Sequence, residues 1–429
     1  MKSNIIGALL LFSVLGMCYS NEVLVWNERM LGFFAGNNHA FPVGIQWHAE
    51  LHTIGHEVLQ TLGCDQSSSF LCTPEIATLS LAYGYSYGLN DKLPEQHPAL
   101  TAIMRQYYEA EPNSAVRTFS KYVGESVAKK VIRERENSGL DEFDYVRMPD
   151  GPTANNEYPL RPCFLNQIIG LGNVTLYNQW ASAKPYILPS MCHLGSLPPP
   201  PANSSVFRND YNSTFYRGHA NSTVRTAQET INAIYHDAGS RTEGASGIWT
   251  RLLAEFIKAN NTGLYDSSVM MMLLTQSIHD DFGGVICEKI KWSTGRPCHL
   301  HVTGVASQLD LPKDPNWRPL IQNPSAGEYI GGHASGASLT VNLTTRWFGF
   351  DMPFNLTTFA TNYAVAGNPP IPPQSFTGLV EFDYLSSLAR QDAGLHFEFG
   401  NKAGREYGRL VATYVWNNKC PNNNCLKGK

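Results

Sequence analysis

Apolar residues recur at three- and four-residue spacing along this chain, while alternating, strand-like runs are rare and short. Val224, Ala227, Ile231 and Ile234 share one helical face, as do Ile248, Leu252, Leu253, Phe256 and Ile257. The same period runs through Val116 to Arg135 and around Trp47 to Leu62. This pattern predicts an all-α architecture. With 43% hydrophobic and only 16% charged residues, the 429-residue chain can bury a large core and is not disordered. A net charge of -4 provides no basic field, so no nucleic-acid partner is expected.

Residues 1–20 read as a secretory signal peptide: Lys2, the apolar run Ile5 to Met17, then small residues near Ser20. That run is too short to span a bilayer, and no later stretch stays apolar long enough, so a secreted protein without a membrane span is expected. The strongest internal break is Leu197-Pro198-Pro199-Pro200-Pro201 and the Asn/Ser-rich stretch from Asn203 to Thr223. Residues 198–223 are therefore expected to form a non-helical crossover loop between an N-terminal helical half, 21–197, and a C-terminal half, 224–429, within one structural domain.

Removing the leader takes Cys18 and leaves eight cysteines, an even number that in a secreted chain predicts disulfides. Short loops close at the least entropic cost, which favours Cys64–Cys72, Cys163–Cys192, Cys287–Cys298 and Cys420–Cys425. Asn-x-Ser/Thr sequons at Asn173, Asn203, Asn212, Asn221, Asn260, Asn342 and Asn355 are candidate glycosylation sites on surface loops.

His48, His52 and His56 stack on one helix face, but without an HExxH order they are expected to be hydrogen-bonded side chains and not a metal site. Three later stretches concentrate cations, glycines and histidines: Lys289 to Pro297, Tyr329 to Gly336, and Arg390 to His396. Lys289, Arg296 and Arg390 with His333 and His396 are what a tetrahedral oxyanion such as vanadate or phosphate requires. Gly331 and Gly332 precede a helical run, so a helix N-terminus could face the anion with no Cβ in the way. Gly394 can end the helix that carries Arg390 and turn His396 toward the same point.

These three stretches resemble the vanadium haloperoxidase and type 2 phosphatidic-acid phosphatase superfamily, whose signature is KX6RP, PSGH and SRX5HX3D. Lys289, Arg296 and Pro297 complete the first motif; the second stands as Ile330-Gly331-Gly332-His333; the third stands as Ala389-Arg390, then His396, then Gly400. Asp314 to Leu320, Trp26-Asn27, Lys184-Pro185-Tyr186-Ile187-Leu188 and Arg225-Thr226 resemble the soluble haloperoxidase branch. The resemblance implies a large helical bundle of the vanadium haloperoxidase or acid phosphatase type. It implies anion binding by Lys289, Arg296, Arg390 and the Gly332 backbone, with His396 as vanadate ligand or phosphate nucleophile and His333 as acid/base.

On this resemblance the cofactor is vanadate, or phosphate as resident anion, and the partners are hydrogen peroxide and halide or a phosphate ester. Three functions stay open: a secreted haloperoxidase, a soluble acid phosphatase working through a phosphohistidine, and a catalytically inactive glycoprotein. The last is raised by Gly331 where the motif has serine and Gly400 where it has aspartate. Glu398, Asn401 and Asp392 are the candidates to replace that aspartate. If both glycines are losses, Gly331→Ser combined with Gly400→Asp should raise turnover above the native rate.

Overall fold

A computed structural model describes residues 21–36, 41–66, 69–140, 146–147, 174–175, 177–237, 242–304, 310–324, 326–358, 371–420 and 425. The signal-like segment 1–20, Cys163 and Asn173 lie outside them. The described chain is all-α, as its periodicity requires. In order it forms α1 (Glu22–Gly36), α2 (Phe41–Thr61), α3 (Pro74–Lys92), α4 (His97–Ala110), α5 (Ser114–Arg135), α6 (Ser205–Arg217) and α7 (Ala227–Tyr235). There follow α8 (Gly244–Ala259), α9 (Leu264–Trp292), α10 (Pro297–Thr303), α11 (Gly332–Phe348), α12 (Leu379–Asp392) and α13 (Glu398–Lys419). Among the described residues, strands are confined to two antiparallel pairs, Val146–Arg147 with Val174–Thr175 and Phe354–Leu356 with Gln374–Phe376.

Two compact units assemble from non-contiguous stretches: 1–136 with 240–275 and 424–429, and 137–239 with 276–423. In the first, Thr73 Oγ1 caps α3 by accepting from Ile76 N at 3.3 Å, and Pro74 fits the first turn, where no N–H partner is needed. Helices α3 and α5 then meet backbone to backbone, since a Cβ on Gly124 would stand 2.4 Å from the Ser80 carbonyl oxygen. The histidine row of α2 is buried and hydrogen-bonded, with His48 Nδ1 to Ser246 Oγ at 2.8 Å, His52 Nε2 to Asn27 Oδ1 at 3.1 Å and His56 Nδ1 to Ser268 Oγ at 3.2 Å. Burial lowers the pKa of His52 to about 3 and of His56 to about 4, which keeps both neutral.

The second unit corrects the reading of 198–223 as non-helical. Ser204 accepts from Phe207 N at 3.2 Å and starts α6, which buries Phe207, Tyr211 and Thr214 along one face. Polar composition concealed a helix with a narrow apolar stripe. Helix α13 lies against α11 at glycines: a Cβ on Gly404 would be 2.1 Å from Gly331 O, and one on Gly408 2.1 Å from Ser335 O. This close approach fixes the start of α11 against α13, the two helices that flank the candidate site.

The disulfides depart from the nearest-neighbour scheme. Cys64–Cys72 forms as expected, and Cys420 and Cys425 are each disulfide-bonded. However, Cys192 pairs with Cys287, with a Cα–Cα distance of 5.5 Å, so the expected Cys163–Cys192 and Cys287–Cys298 bridges do not form. Cys298 is a buried thiol that accepts from Asn323 Nδ2 at 3.0 Å. Closing 95 residues instead of 11 costs only about 2 kcal/mol more in loop entropy, so packing decides the pairing. The sequon residues Asn203, Asn221, Asn260 and Asn355 are exposed, whereas Asn212 and Asn342 are half-buried. Among the described residues, no helix is long and apolar enough to cross a membrane. Non-reducing peptide mapping should recover Cys192 linked to Cys287. A Cys287–Cys298 peptide pair would contradict this packing.

Candidate active site

The last turns of α9 bring in Lys289, and the turn after that helix delivers Arg296 at the start of α10. Gly331 caps α11, which puts Gly332 and His333 in its first turn. Helix α12 carries Arg390 and stops at Asp392, after which Gly394 adopts φ +77 and the chain reverses. Leu395 N and His396 N then return to Arg390 O at 3.0 and 3.3 Å, so His396 is held beside Arg390, as the position of Gly394 predicted.

All five predicted side chains are buried: Lys289, His333 and Arg390 are 8% exposed, His396 4% and Arg296 2%. They act on one another electrostatically. Burial lowers the pKa of His396 well below the usual imidazole value, and the charges of Arg296, Lys289, Arg390 and His333 lower it further. Burial, Arg390 and His236 do the same to His333. Lys289 is pushed well below the usual ammonium value by burial and by Arg296 and Arg390, against the pull of Glu328. Arg296 falls to about 10, by burial first.

Neutral acceptors hold the cations in place. Lys289 Nζ donates to the carbonyl oxygens of Gly327, Glu328 and Ile330 at 2.7, 2.9 and 2.6 Å. Arg296 donates from Nε to Ala326 O and from Nη1 to Leu395 O, both at 2.8 Å, and Arg390 Nη1 donates to His236 O at 2.9 Å. Carbonyls orient a cation without cancelling its charge, so among the described carboxyls only the buried Glu328 and Asp237 act against three cations, which leaves a positive excess for an anion to neutralise. Arg390 Nε is a buried donor without a hydrogen-bond partner. A tetrahedral oxyanion such as vanadate therefore fits this set, and the first N–H groups of α11 add donors with no intrahelical acceptor.

Two residues at the site carry no sequence signal of their own. His236 follows α7; its carbonyl holds Arg390, and its ring meets His333 edge to face with centroids 5.6 Å apart. Glu328 is fully buried and accepts from His396 Nδ1 at 3.3 Å and Phe397 N at 3.1 Å. It lies 68 positions from His396, so no local spacing could connect them; its adjacency to the Tyr329–Gly336 stretch was the only clue. Desolvation raises the Glu328 pKa to about 7, while Lys289 and Arg296 pull it down.

The replacements considered for the motif aspartate are engaged elsewhere. Asp392 Oδ1 accepts from Arg217 Nε at 2.8 Å, and Asn401 Nδ2 donates to Ser387 O at 3.0 Å. Glu398 is half-buried and feels the charges of Asp210, Arg405 and Lys402. The two glycines answer to packing. A Cβ on Gly331 would stand 2.8 Å from Asn401 Oδ1 and 3.1 Å from Asn401 Cα, and one on Gly400 only 2.0 Å from Glu328 Oε1. Gly332 is also packed, its added Cβ meeting Val285 Cγ1 at 3.2 Å. Gly331→Ser and Gly400→Asp, expected to raise turnover if the glycines are losses, would each have to displace a side chain already in place, Asn401 and Glu328 respectively.

Fold and site together define a helical protein with a buried cluster of cations and imidazoles. Residues 269–420 match the family described as the VCPO second helical-bundle domain. The fold is similar to a bacterial vanadium-dependent iodoperoxidase, with a TM-score of 0.72 and 15% identity over 92% of this chain and 96% of that one. It is also similar to bacterial vanadium-dependent chloroperoxidase, with a TM-score of 0.64 for the holo form (14% identity; 88% of this chain, 92% of that one). The apo form gives 0.62 (14% identity; 88% and 94%). No curated protein sequence matches the chain. The matched segment and the overall fold are thus similar to those of vanadium-dependent haloperoxidases.

Gly331→Ser should cost about 1–3 kcal/mol of stability through overpacking, read as a lower midpoint in thermal or urea unfolding. An unchanged midpoint would show that the α11–α13 contact yields easily at this point.

Proposed function

We propose that the chain is a secreted vanadium-dependent haloperoxidase-like enzyme that oxidises halide with hydrogen peroxide at a bound vanadate. The observation that carries this reading is the buried positive excess of Lys289, Arg296 and Arg390, held by carbonyl oxygens around His396. In the proposed site these cations and the Gly332 N–H bind the oxyanion, and His396 supplies the metal ligand. Vanadate, when bound, would act as a Lewis acid that activates peroxide toward halide. The protein's own part is to hold the anion, exclude bulk water and place protons.

Arg296 Nη1 lies 2.8 Å from His396 Nε2, and a guanidinium only donates, so Nε2 carries the lone pair and Nδ1 the proton that faces Glu328. A nitrogen with a directed lone pair is what ligation needs. His333, kept neutral by burial and Arg390, is able to accept a proton at the same site. The disulfides support a secreted, oxidising setting. Exposed sequons such as Asn203 and Asn260 are proposed glycan acceptors.

The same His396 lone pair could attack a phosphate ester if phosphate is the resident anion, so halogenation and p-nitrophenyl phosphate hydrolysis should be assayed on one preparation. Orthovanadate binding measured by calorimetry should weaken at least about tenfold, or 1.4 kcal/mol, in Arg390→Ala. If the wild type binds neither orthovanadate nor phosphate, the enzyme reading fails. Binding without turnover of either substrate would leave an oxyanion-binding glycoprotein.

A further inference from the structure

The superfamily motif puts an aspartate four residues after the ligand histidine, and this chain has glycine there, at 400. With nothing in its place, the proton on His396 Nδ1 would point into a buried void, at the cost of an unsatisfied donor. Instead, the carboxylate of Glu328 reaches the same place from the loop before α11. A Cβ built on Gly400 would stand 2.0 Å from Glu328 Oε1, 2.8 Å from Cδ and 3.0 Å from Oε2, so this carboxylate fills the volume that a side chain at 400 would use.

From that volume Oε1 accepts from both His396 Nδ1 and Phe397 N, which ties the imidazole to the start of α13. The Glu328 backbone is fixed too: its N–H donates to Thr294 O at 3.1 Å, and its carbonyl accepts from Lys289 Nζ at 2.9 Å. The carboxylate that orients the histidine is therefore built into the loop that also positions an anion-binding lysine.

Resting on the functional reading above, we propose that Glu328 is the positioning residue of His396, and that Gly400 is the space Glu328 requires instead of the loss of a catalytic group. Glu328 does not touch the anion. It acts through His396, holding Nδ1–H from one side while Arg296 Nη1 donates to Nε2 from the other, so that the two together fix the ring orientation and the tautomer.

Three variants and two readouts test the proposal. The readouts are the His396 imidazole nitrogen shifts by NMR, which report the tautomer without any bound group, and orthovanadate affinity by calorimetry. Glu328→Gln, close in shape and uncharged, should fold, shift the His396 Nδ1 signal away from that of a carboxylate-bound imidazole and weaken orthovanadate binding about tenfold. Gly400→Asp alone should lower the melting temperature and weaken binding, because its side chain meets Glu328. In a Glu328→Ala background the same substitution should do the opposite, restoring the Nδ1–H signature and bringing affinity to within about threefold of wild type. The proposal is overturned if Glu328→Gln leaves the nitrogen shifts unchanged, or if Gly400→Asp harms both backgrounds equally. If the wild type binds no orthovanadate, the functional reading fails, while the nitrogen shifts and the sign reversal in melting temperature still decide on Glu328.

Discussion

Three buried cations facing one another are the constraint around which the site is organised. Burial penalises the charged form of all three and lowers each pKa; for Lys289 and Arg296 the neighbouring cations lower it further. Backbone carbonyls and the buried carboxyls of Glu328 and Asp237 are what make the arrangement tenable. Lys289 sits in the last turn of α9 and Arg390 in the last turn of α12, where exposed carbonyls and the negative end of the helix dipole favour a cation. The N-terminus of α11 faces the site with the opposite polarity, favourable to an anion. The carbonyls that hold the cations come from outside those helices: Gly327, Glu328 and Ile330 for Lys289, and His236 for Arg390.

Close helix packing sets the tolerance of this arrangement. Gly404 and Gly408 let α13 approach the backbone of α11, with Gly331 N donating to Gly400 O at 2.9 Å across the same contact. The loop between α12 and α13, which carries His396, cannot move independently of the α11 start that carries His333. An extra methyl group at any of these glycines would separate the two histidines by forcing the helices apart.

Much of the fold and most of the site were legible in the sequence because they rest on local chemistry. Gly394 ends α12 as its position implied, and apolar periodicity located the helices at 227–235 and 244–259. Where sequence reading failed, the cause was non-local or compositional. Polar composition hid α6, whose buried face is only Phe207, Tyr211 and Thr214. The Cys192–Cys287 bridge spans 95 positions, a separation at which loop entropy discriminates weakly. Glu328 could not be connected to His396 without knowing that Gly400 leaves its place open.

That last case shows why a motif departure and a functional loss are different things. A motif records which position supplies a group, whereas chemistry depends on which volume the group occupies. A glutamate on the loop before α11 puts its carboxylate into the volume where a side chain on the first turn of α13, at position 400, would begin. The exchange is stable only as a pair: a carboxylate from both positions would overlap within 2.0 Å, and one from neither would leave the Nδ1–H of a buried imidazole without an acceptor. At position 331 the matching pair is the absent serine side chain and the Asn401 amide, whose Oδ1 stands 2.8 Å from where the serine Cβ would be. Both departures from the signature therefore coincide with a polar side chain packed into the vacated volume.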